Sequence, residues 1–522
     1  QIPDVSVGFV TGTNGSHLRR LEEEWGVLML FAEYTGSSVC PSSGSMGRGV
    51  APCRTETLAI FGPKRARRGA QLSMMQVVDE KLPGYFSDAL RSKGELYDPP
   101  DDSDDAPPGW GTLTMEVREA IMPYAQGKNA STRKKLMQAS GAIVQFLGNI
   151  AFMSGTAEQR SRAQEYLTWL LQTLDGPVWV DTPEARSDCT IVDVPGPIVG
   201  FVTGKARESL SRHEEEWGVL AIFIGHCGQR GGPPPEAVVK LLIFGPERSR
   251  KGCEIDVLCA IEFKAKGFVT DHMTELYSEA DGCAEERRIM NEVEISYALG
   301  IKGATRKKLA SASGAILNFV GTVCCIAGTG EERQRCKDYL GWLLAKLDND
   351  GHATIDTTGR TDVTEIRLHG LNNKAIGVVT GKGGNTLQGV SSVTGTWCIV
   401  AKDACGQERL CIFSHNKGSW NSEEDGGRRR AERLFRAVLK EAKRFTDWEN
   451  RRSHSSDWKQ RGSRDWNQGR AWSSQPGGYG SWEQGWSSSG WKDQRGGWGK
   501  GNGWGQKQEY RAPGKAPWSA RG

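Results

Sequence analysis

Five short turns hold the residues whose types and spacing could do chemistry: Gly381-Lys382-Gly383-Gly384, Gly300-Ile301-Lys302-Gly303, Gly127-Lys128-Asn129-Ala130, Gly12-Thr13-Asn14-Gly15 and Gly204-Lys205-Ala206-Arg207. Glycine has no Cβ, so a phosphodiester can come up against the main chain there. Where a helix starts just after such a turn, its first amides have no intrahelical acceptor and lie at the positive end of its dipole. A lysine inside the turn adds a movable cation. The chemistry on offer is the gripping of a phosphate backbone.

The turns are unequal on this reasoning. The turn at 381–384 has every element. That at 300–303 keeps both outer glycines and is followed by Arg306 and Lys307; that at 127–130 ends on alanine but is followed by Arg133 and Lys134. Gly12 to Gly15 lacks a lysine, and Glu22, Glu23 and Glu24 follow. The turn at 204–207 departs furthest, because Arg207 brings a long side chain to the position where close approach is needed, and its unit is expected to be structural or to contact partners in another way.

Spacing alone means little in this composition. With 66 glycines in 522 residues, roughly eight Gly-x-x-Gly spacings arise by chance. Weight comes from position within repeats. Val7 to Gly12 returns as Val199 to Gly204, and Glu22 to Leu28 as Glu214 to Leu220. Thr132 to Leu136 returns as Thr305 to Leu309, each followed by Ala-Ser-Gly-Ala-Ile. The first 350 or so residues are thus a duplicated two-unit block, and a fifth unit around Ala375 to Leu387 shares its grammar.

Periodicity orders each unit as strand, helix, glycine turn, helix, two strands and a long amphipathic helix. In the fifth unit the strands are expected at 363–368, 396–401 and 408–414, and the helices at 374–380, 385–394 and 428–445. Its closing helix should bury Ala431, Leu434, Phe435, Val438, Leu439 and Ala442. Equivalent stripes run through Ala163, Tyr166, Leu167, Leu170 and Leu171, and through Cys336, Tyr339, Leu340, Leu343 and Leu344. In the first unit the leading strand is nearly missing. Trp25, Trp217 and Trp397 align at the second strand and read as core or groove-floor rings rather than stacking platforms.

The fifth segment, with its Gly-Lys-Gly-Gly turn, following helix and Thr394-Gly-Thr-Trp-Cys-Ile, resembles a K-homology (KH) domain of the eukaryotic type I, as in heterogeneous nuclear ribonucleoprotein K-like and poly(C)-binding proteins. The likeness is looser elsewhere and spans about residues 1–445. It implies an α+β fold of tandem β-α-α-β-β-α domains, each a three-stranded antiparallel sheet packed on three helices, followed by a disordered tail. The expected division is KH-like units at 1–90, 112–175, 188–280, 285–348 and 361–446, linkers at 91–111, 176–187 and 349–360, and a tail at 447–522. The family's turn clamps single-stranded nucleic acid while bases lie along an apolar groove beside the second strand. The partner so implied is single-stranded RNA, with single-stranded DNA as a variant, in post-transcriptional regulation or processing.

The tail has thirteen Lys or Arg against five Asp or Glu over 451–522, a local charge of 13 − 5 = +8 within a net +4, so everything before it carries −4. Its tryptophans recur among Gly, Ser, Gln and Arg with no aliphatic residues to build a core. Arg461-Gly, Arg495-Gly-Gly and Arg521-Gly are similar to RGG segments that contact RNA. The Gly-Trp pairs at 485, 490, 497 and 503 instead resemble hooks by which silencing factors engage Argonaute. The rival to RNA binding is accordingly a protein-interaction scaffold with degenerate units and a GW-type or condensate-forming tail.

Other classes find little support. No HExxH, GxSxG or GxxxxGK[ST] pattern is present, so no enzyme and no cofactor are expected. Thirteen cysteines show no zinc spacing and read as reduced thiols of an intracellular protein, nuclear, cytoplasmic or both. No apolar run approaches the length of about 20 residues that a membrane span needs. The chain opens on Gln1 without a signal-peptide pattern, which fits a fragment of a longer protein.

Overall fold

The computed structural model describes residues 1–32, 55–88, 109–225, 237–348, 353–403, 405–418 and 426–461. Residues 1–453 form one compact unit, and of a second, 454–522, only the end of a helix is described. Residues 33–54 and 226–236, most of the acidic linker before the second unit, and the tail beyond Arg461 lie outside the described residues.

The same element order occurs five times. Unit 1 has strands Ile2–Pro3, Leu28–Ala32 and Thr55–Phe61, with helices Asp4–Thr11, Ser16–Trp25 and Lys64–Lys81. Unit 2 has strands Gly111–Glu116, Ile143–Leu147 and Ile150–Gly155, with helices Met122–Gln126, Ser131–Ser140 and Ala157–Asp175. Unit 3 has strands Cys189–Pro195, Leu220–Phe223 and Val238–Phe244, with helices Val199–Thr203, Glu208–Trp217 and Glu247–Lys264. Unit 4 has strands Ala284–Ile289, Ile316–Val320 and Val323–Gly328, with helices Glu292–Leu299, Ala304–Ser313 and Gly330–Asp348. Unit 5 has strands Val363–Arg367, Trp397–Lys402 and Glu408–Phe413, with helices Asn373–Thr380, Asn385–Thr394 and Arg428–Arg461. Each sheet is antiparallel, with the third strand in the middle and the second on an edge. The first strand of unit 1 is the two-residue remnant that the sequence implied, paired to Thr55 and Glu56.

Local chemistry explains the punctuation. Every second helix ends on a left-handed glycine, Gly26, Gly141, Gly218, Gly314 or Gly395, a backbone state that costs glycine nothing and lets the edge strand start at once. The closing helix of unit 2 begins in a capping box between Thr156 and Gln159. The last closing helix runs past the expected Phe445 to Arg461 because nothing breaks it before Gly462. Its stripe also differs from the expected one: Ala431, Phe435, Leu439 and Ala442 are buried, whereas Leu434 is exposed and Val438 half-buried.

Burial does not stop at unit boundaries. The outer faces of the sheets in units 2 to 5 are covered by the preceding unit, so residues 1–453 form a stack with two alternating joints. At the first kind of joint, the closing helices of units 1 and 3 lie on the sheets of units 2 and 4: Leu72 packs with Ile143, Leu147 and Phe152, and Ile255 with Ile316, Val320 and Val323. The indoles of Trp25 and Trp217 pack flat on Gly69 and Gly252, where any Cβ would overlap the ring. They donate to Ser73 Oγ (3.3 Å) and Asp256 Oδ2 (2.7 Å).

At the second kind of joint, the closing helices of units 2 and 4 lie on the sheets of units 3 and 5. Tyr166 donates to Asp188 and Tyr339 to Asp362, each at 2.8 Å, and Arg186 and Arg360 grip the same carboxylates bidentately. The guanidiniums of Arg186 and Arg360 stack over Trp169 and Trp342. The 176–187 and 349–360 segments, expected to be linkers, are straps instead. Val178, Val180, Ala353 and Ile355 are buried in these joints, where alternate residues of each strap point inward while Trp179 and Thr354 between them point out. Trp397 is likewise part of the joint, against Tyr339 and Phe413, and is structurally equivalent to Leu28 and Leu220 rather than to Trp25 and Trp217.

The adjacent cysteines Cys324 and Cys325 face opposite cores, and burial pushes the thiol of Cys325 up to about 12. The ten described cysteines are free. Among the described residues, no helix is long and apolar enough to cross a membrane.

Candidate nucleic-acid interface

All five turns adopt one backbone shape. The first glycine has φ of 66 to 76° with ψ of 163 to 178°, and the third and fourth residues are left-handed. The first glycine is obligatory on two counts. Its dihedrals are essentially closed to other residues, and at Gly381 an added Cβ would lie 2.7 Å from the amide nitrogen of Thr386. The third position is more tolerant: Asn14, Asn129, Ala206 and Lys302 hold φ of 51 to 53° where Gly383 has 62°. At the fourth position Ala130 and Arg207 accept the left-handed state that Gly15, Gly303 and Gly384 occupy.

The two middle residues are exposed in every turn: Thr13 and Asn14, Lys128 and Asn129, Lys205 and Ala206, Ile301 and Lys302, Lys382 and Gly383. The amides of Lys382 and Gly383 precede any intrahelical acceptor, and a Cβ built on Gly383 or Gly384 would meet open space. Gly384 is thus open by choice of residue rather than by packing. Gly384→Ala is expected to cost about 1–2 kcal/mol, the ordinary cost of a left-handed alanine such as Ala130; thermal melting checks it, and a larger loss would mean hidden packing.

The exposed edge of the second strand separates the units. In register, Met29, Val144, Ala221, Leu317 and Cys398 are equivalent, each opposite the corresponding residue of the third strand. In unit 1, Glu22 accepts from the Met29 amide at 2.7 Å. In unit 2, Arg133 Nη1 donates to the Val144 carbonyl at 3.4 Å, and in unit 4 Arg306 Nη1 donates to the Leu317 carbonyl at 2.9 Å.

Unit 3 fills both groups: Glu214 accepts from the Ala221 amide at 2.9 Å, and Arg207 donates to the Ala221 carbonyl. Glu214 is fully buried, held by Arg207 (2.8 Å) and by Lys135 of unit 2 (2.7 Å). Among the described residues, no side chain engages the main-chain edge of Cys398 in unit 5.

The fate of the sequence-predicted residues follows. Gly381 to Gly384, Gly300 to Gly303, Gly127 to Asn129 and Gly12 to Gly15 form superposable turns with exposed centres, and Lys134 and Lys307 are exposed at the start of the second helices. Arg133 and Arg306 are folded onto the strand edge, and burial lowers the pKa of Arg133. Arg207 is turned away from its own turn onto Glu214. Sequence reasoning missed Glu22 and Glu214 as edge acceptors. It also missed a cluster of His213, Glu216 and Asp256, in which Asp256 is committed to Trp217 and to Asn318 Nδ2 at 2.7 Å.

No family model matches the chain, and no curated protein does. Several solved structures are similar in part. Dim2p from Pyrococcus horikoshii OT3 is 17% identical over 30% of this chain and 90% of its own, with a TM-score of 0.18. The a/eIF2alpha–aDim2p–rRNA complex from the same organism is 17% identical over 33% of this chain and 98% of that one, with a TM-score of 0.18. A structure described as KH domains is 9% identical over 59% of this chain and 80% of its own, with a TM-score of 0.12. The chain itself is an α+β array of three-stranded antiparallel sheets, each backed by helices that carry a glycine turn.

Proposed function

We propose that this chain is an RNA-binding protein of the KH type and not an enzyme, and that unit 5 is its principal grip on single-stranded RNA. One observation carries the reading: unit 5 alone combines a Gly-Lys-Gly-Gly turn opening on free space with a second-strand edge that, among the described residues, no side chain occupies. Phosphates meet the Lys382 and Gly383 amides and the Lys382 ammonium, while a base edge pairs with the open edge at Cys398. Units 2 and 4 offer the same turn, but a base reaches their edge only if Arg133 or Arg306 moves off its carbonyl. Unit 3, with amide and carbonyl both satisfied by a buried ion pair, acts as structure.

The scaffold alternative draws its support from the same fact, since four of five edges are self-occupied. The two readings differ in the salt dependence of affinity for an unstructured RNA oligonucleotide of about ten nucleotides, with a DNA oligonucleotide of the same sequence as competitor. For single strands the slope of log K against log salt is about −0.7 per phosphate contact. A slope of about −0.7 is expected from the Lys382 contact, steeper with each further lysine that meets a phosphate; a flat response, or no saturable binding, would leave the scaffold.

A further inference from the structure

Unit 1 has a sheet face that the rest of the stack would lead one to find covered. By strand register, Leu28, Leu30, Ala59 and Phe61 hold the positions of Leu220, Ile222, Leu242 and Phe244 in unit 3 and of Trp397, Ile399, Cys411 and Phe413 in unit 5. In units 3 and 5 these residues are at most 5% exposed, because the closing helix of unit 2 or unit 4 lies on them. In unit 1, Leu28, Leu30 and Phe61 are 52%, 51% and 55% exposed. Three large apolar side chains on one sheet face are an unusual thing to leave in water.

The same molecule shows twice what such a face takes. Each time the occupant is an amphipathic helix with a Tyr-x-x-Trp-Leu ridge, Tyr166, Trp169 and Leu170 or Tyr339, Trp342 and Leu343, whose rings pack on the central phenylalanine. A second copy of this chain has no such ridge to lend. Tyr166 and Tyr339 are fully buried in their own joints, and the closing helices of units 1 and 3 lie on the sheets of units 2 and 4. The last closing helix presents Arg433, Arg436 and Lys440 along the stripe where units 1 and 3 carry Leu72 and Ile255, Met75 and Leu258, and Asp79 and Glu262. The tail separates its tryptophans by glycine and serine and has no aliphatic ridge.

We infer that the outer face of the first sheet, centred on Leu28, Leu30 and Phe61, docks a helix of a partner protein that carries an exposed Tyr-x-x-Trp-Leu ridge. The inference is independent of RNA binding. It extends the second kind of joint by one more step, using shape and apolar area that the chain already employs within itself.

The test uses the full chain and a fluorescein-labelled peptide with the sequence of residues 157–175, stapled on its solvent face so that it enters as a helix. Fluorescence anisotropy should show saturable binding that weakens at least tenfold with Leu30→Asp in the chain, and likewise with Trp169→Ala in the peptide. Leu30 and Phe61 are surface residues, so circular dichroism and melting of the variant should match the parent; Phe61→Glu serves as a second variant should Leu30→Asp lower the melting point. No saturable binding, or binding that both variants leave unchanged, overturns the inference. So does sedimentation showing that the unmodified chain self-associates and the Leu30→Asp chain does not, because the occupant would then be a second copy.

Discussion

A chain bearing Lys382→Asp together with Gly383→Asp is expected to bind single-stranded RNA roughly 30- to 150-fold more weakly while melting within about 1 kcal/mol of the parent. The substitution removes a cation and places two carboxylates where phosphates would lie, and losing a charge-assisted contact costs about 2–3 kcal/mol. The fold should tolerate it. Asn14, Asn129 and Lys302 show that a side chain fits this left-handed position, and no atom lies within 4 Å of a Cβ on Gly383. The matched control is Lys205→Asp with Ala206→Asp in unit 3, whose strand edge is already filled. That pair should leave affinity within about threefold once nonspecific charge repulsion is screened at 0.15 M salt. Equal losses from both pairs, or none from the first, would remove unit 5 as the principal site.

Asp362→Ala should destabilise the junction of units 4 and 5 by about 2–3 kcal/mol, because it leaves the buried Tyr339 hydroxyl without its acceptor and takes a bidentate partner from Arg360, which keeps only Asp338. Asp188→Ala should do the same at the joint of units 2 and 3. Differential scanning calorimetry of the full chain reports both.

Protonation offers an independent check. Burial pulls the Asp362 pKa upward, but the donors on Arg360 and Tyr339 outweigh it and the net shift is downward from the ordinary 3.8. A carboxylate with a depressed folded pKa stabilises the fold above its unfolded pKa, and that contribution fades as pH falls through the folded value. Parent stability should therefore drop below about pH 4, and Asp362→Ala should flatten that acid limb. An unchanged limb would mean that other carboxylates, Asp188 among them, govern acid unfolding.

Much of this architecture was legible before any coordinates, for reasons that are local. The glycines that close each second helix, the turn positions at 12, 127, 204, 300 and 381, and the stripes through Tyr166 and Tyr339 all reflect the needs of a few consecutive residues: a left-handed dihedral, a close approach, one buried helix face. The fifth unit's second helix, Asn385–Thr394, falls where its periodicity placed it. Errors gathered where a residue serves a neighbouring unit. Trp397 was grouped with Trp25 and Trp217 by spacing, yet it packs on Tyr339 and belongs to a joint. Val178, Val180, Ala353 and Ile355 sat in stretches read as linkers, and only their burial against the next unit shows them to be straps.

The sequence by itself determined that five copies of one α+β unit follow one another and that each presents a glycine turn at a helix start, because repeat identity and backbone demands are written in adjacent residues. Only the tertiary structure decided which of those copies keeps its strand edge open and which sheet is left bare. Those outcomes depend on where the long side chains of Arg133, Arg207, Glu214 and Arg306 come to rest, and on which helix arrives from another unit. Neither leaves a periodic signal, since flexible charged side chains choose partners by distance in space and not by separation along the chain.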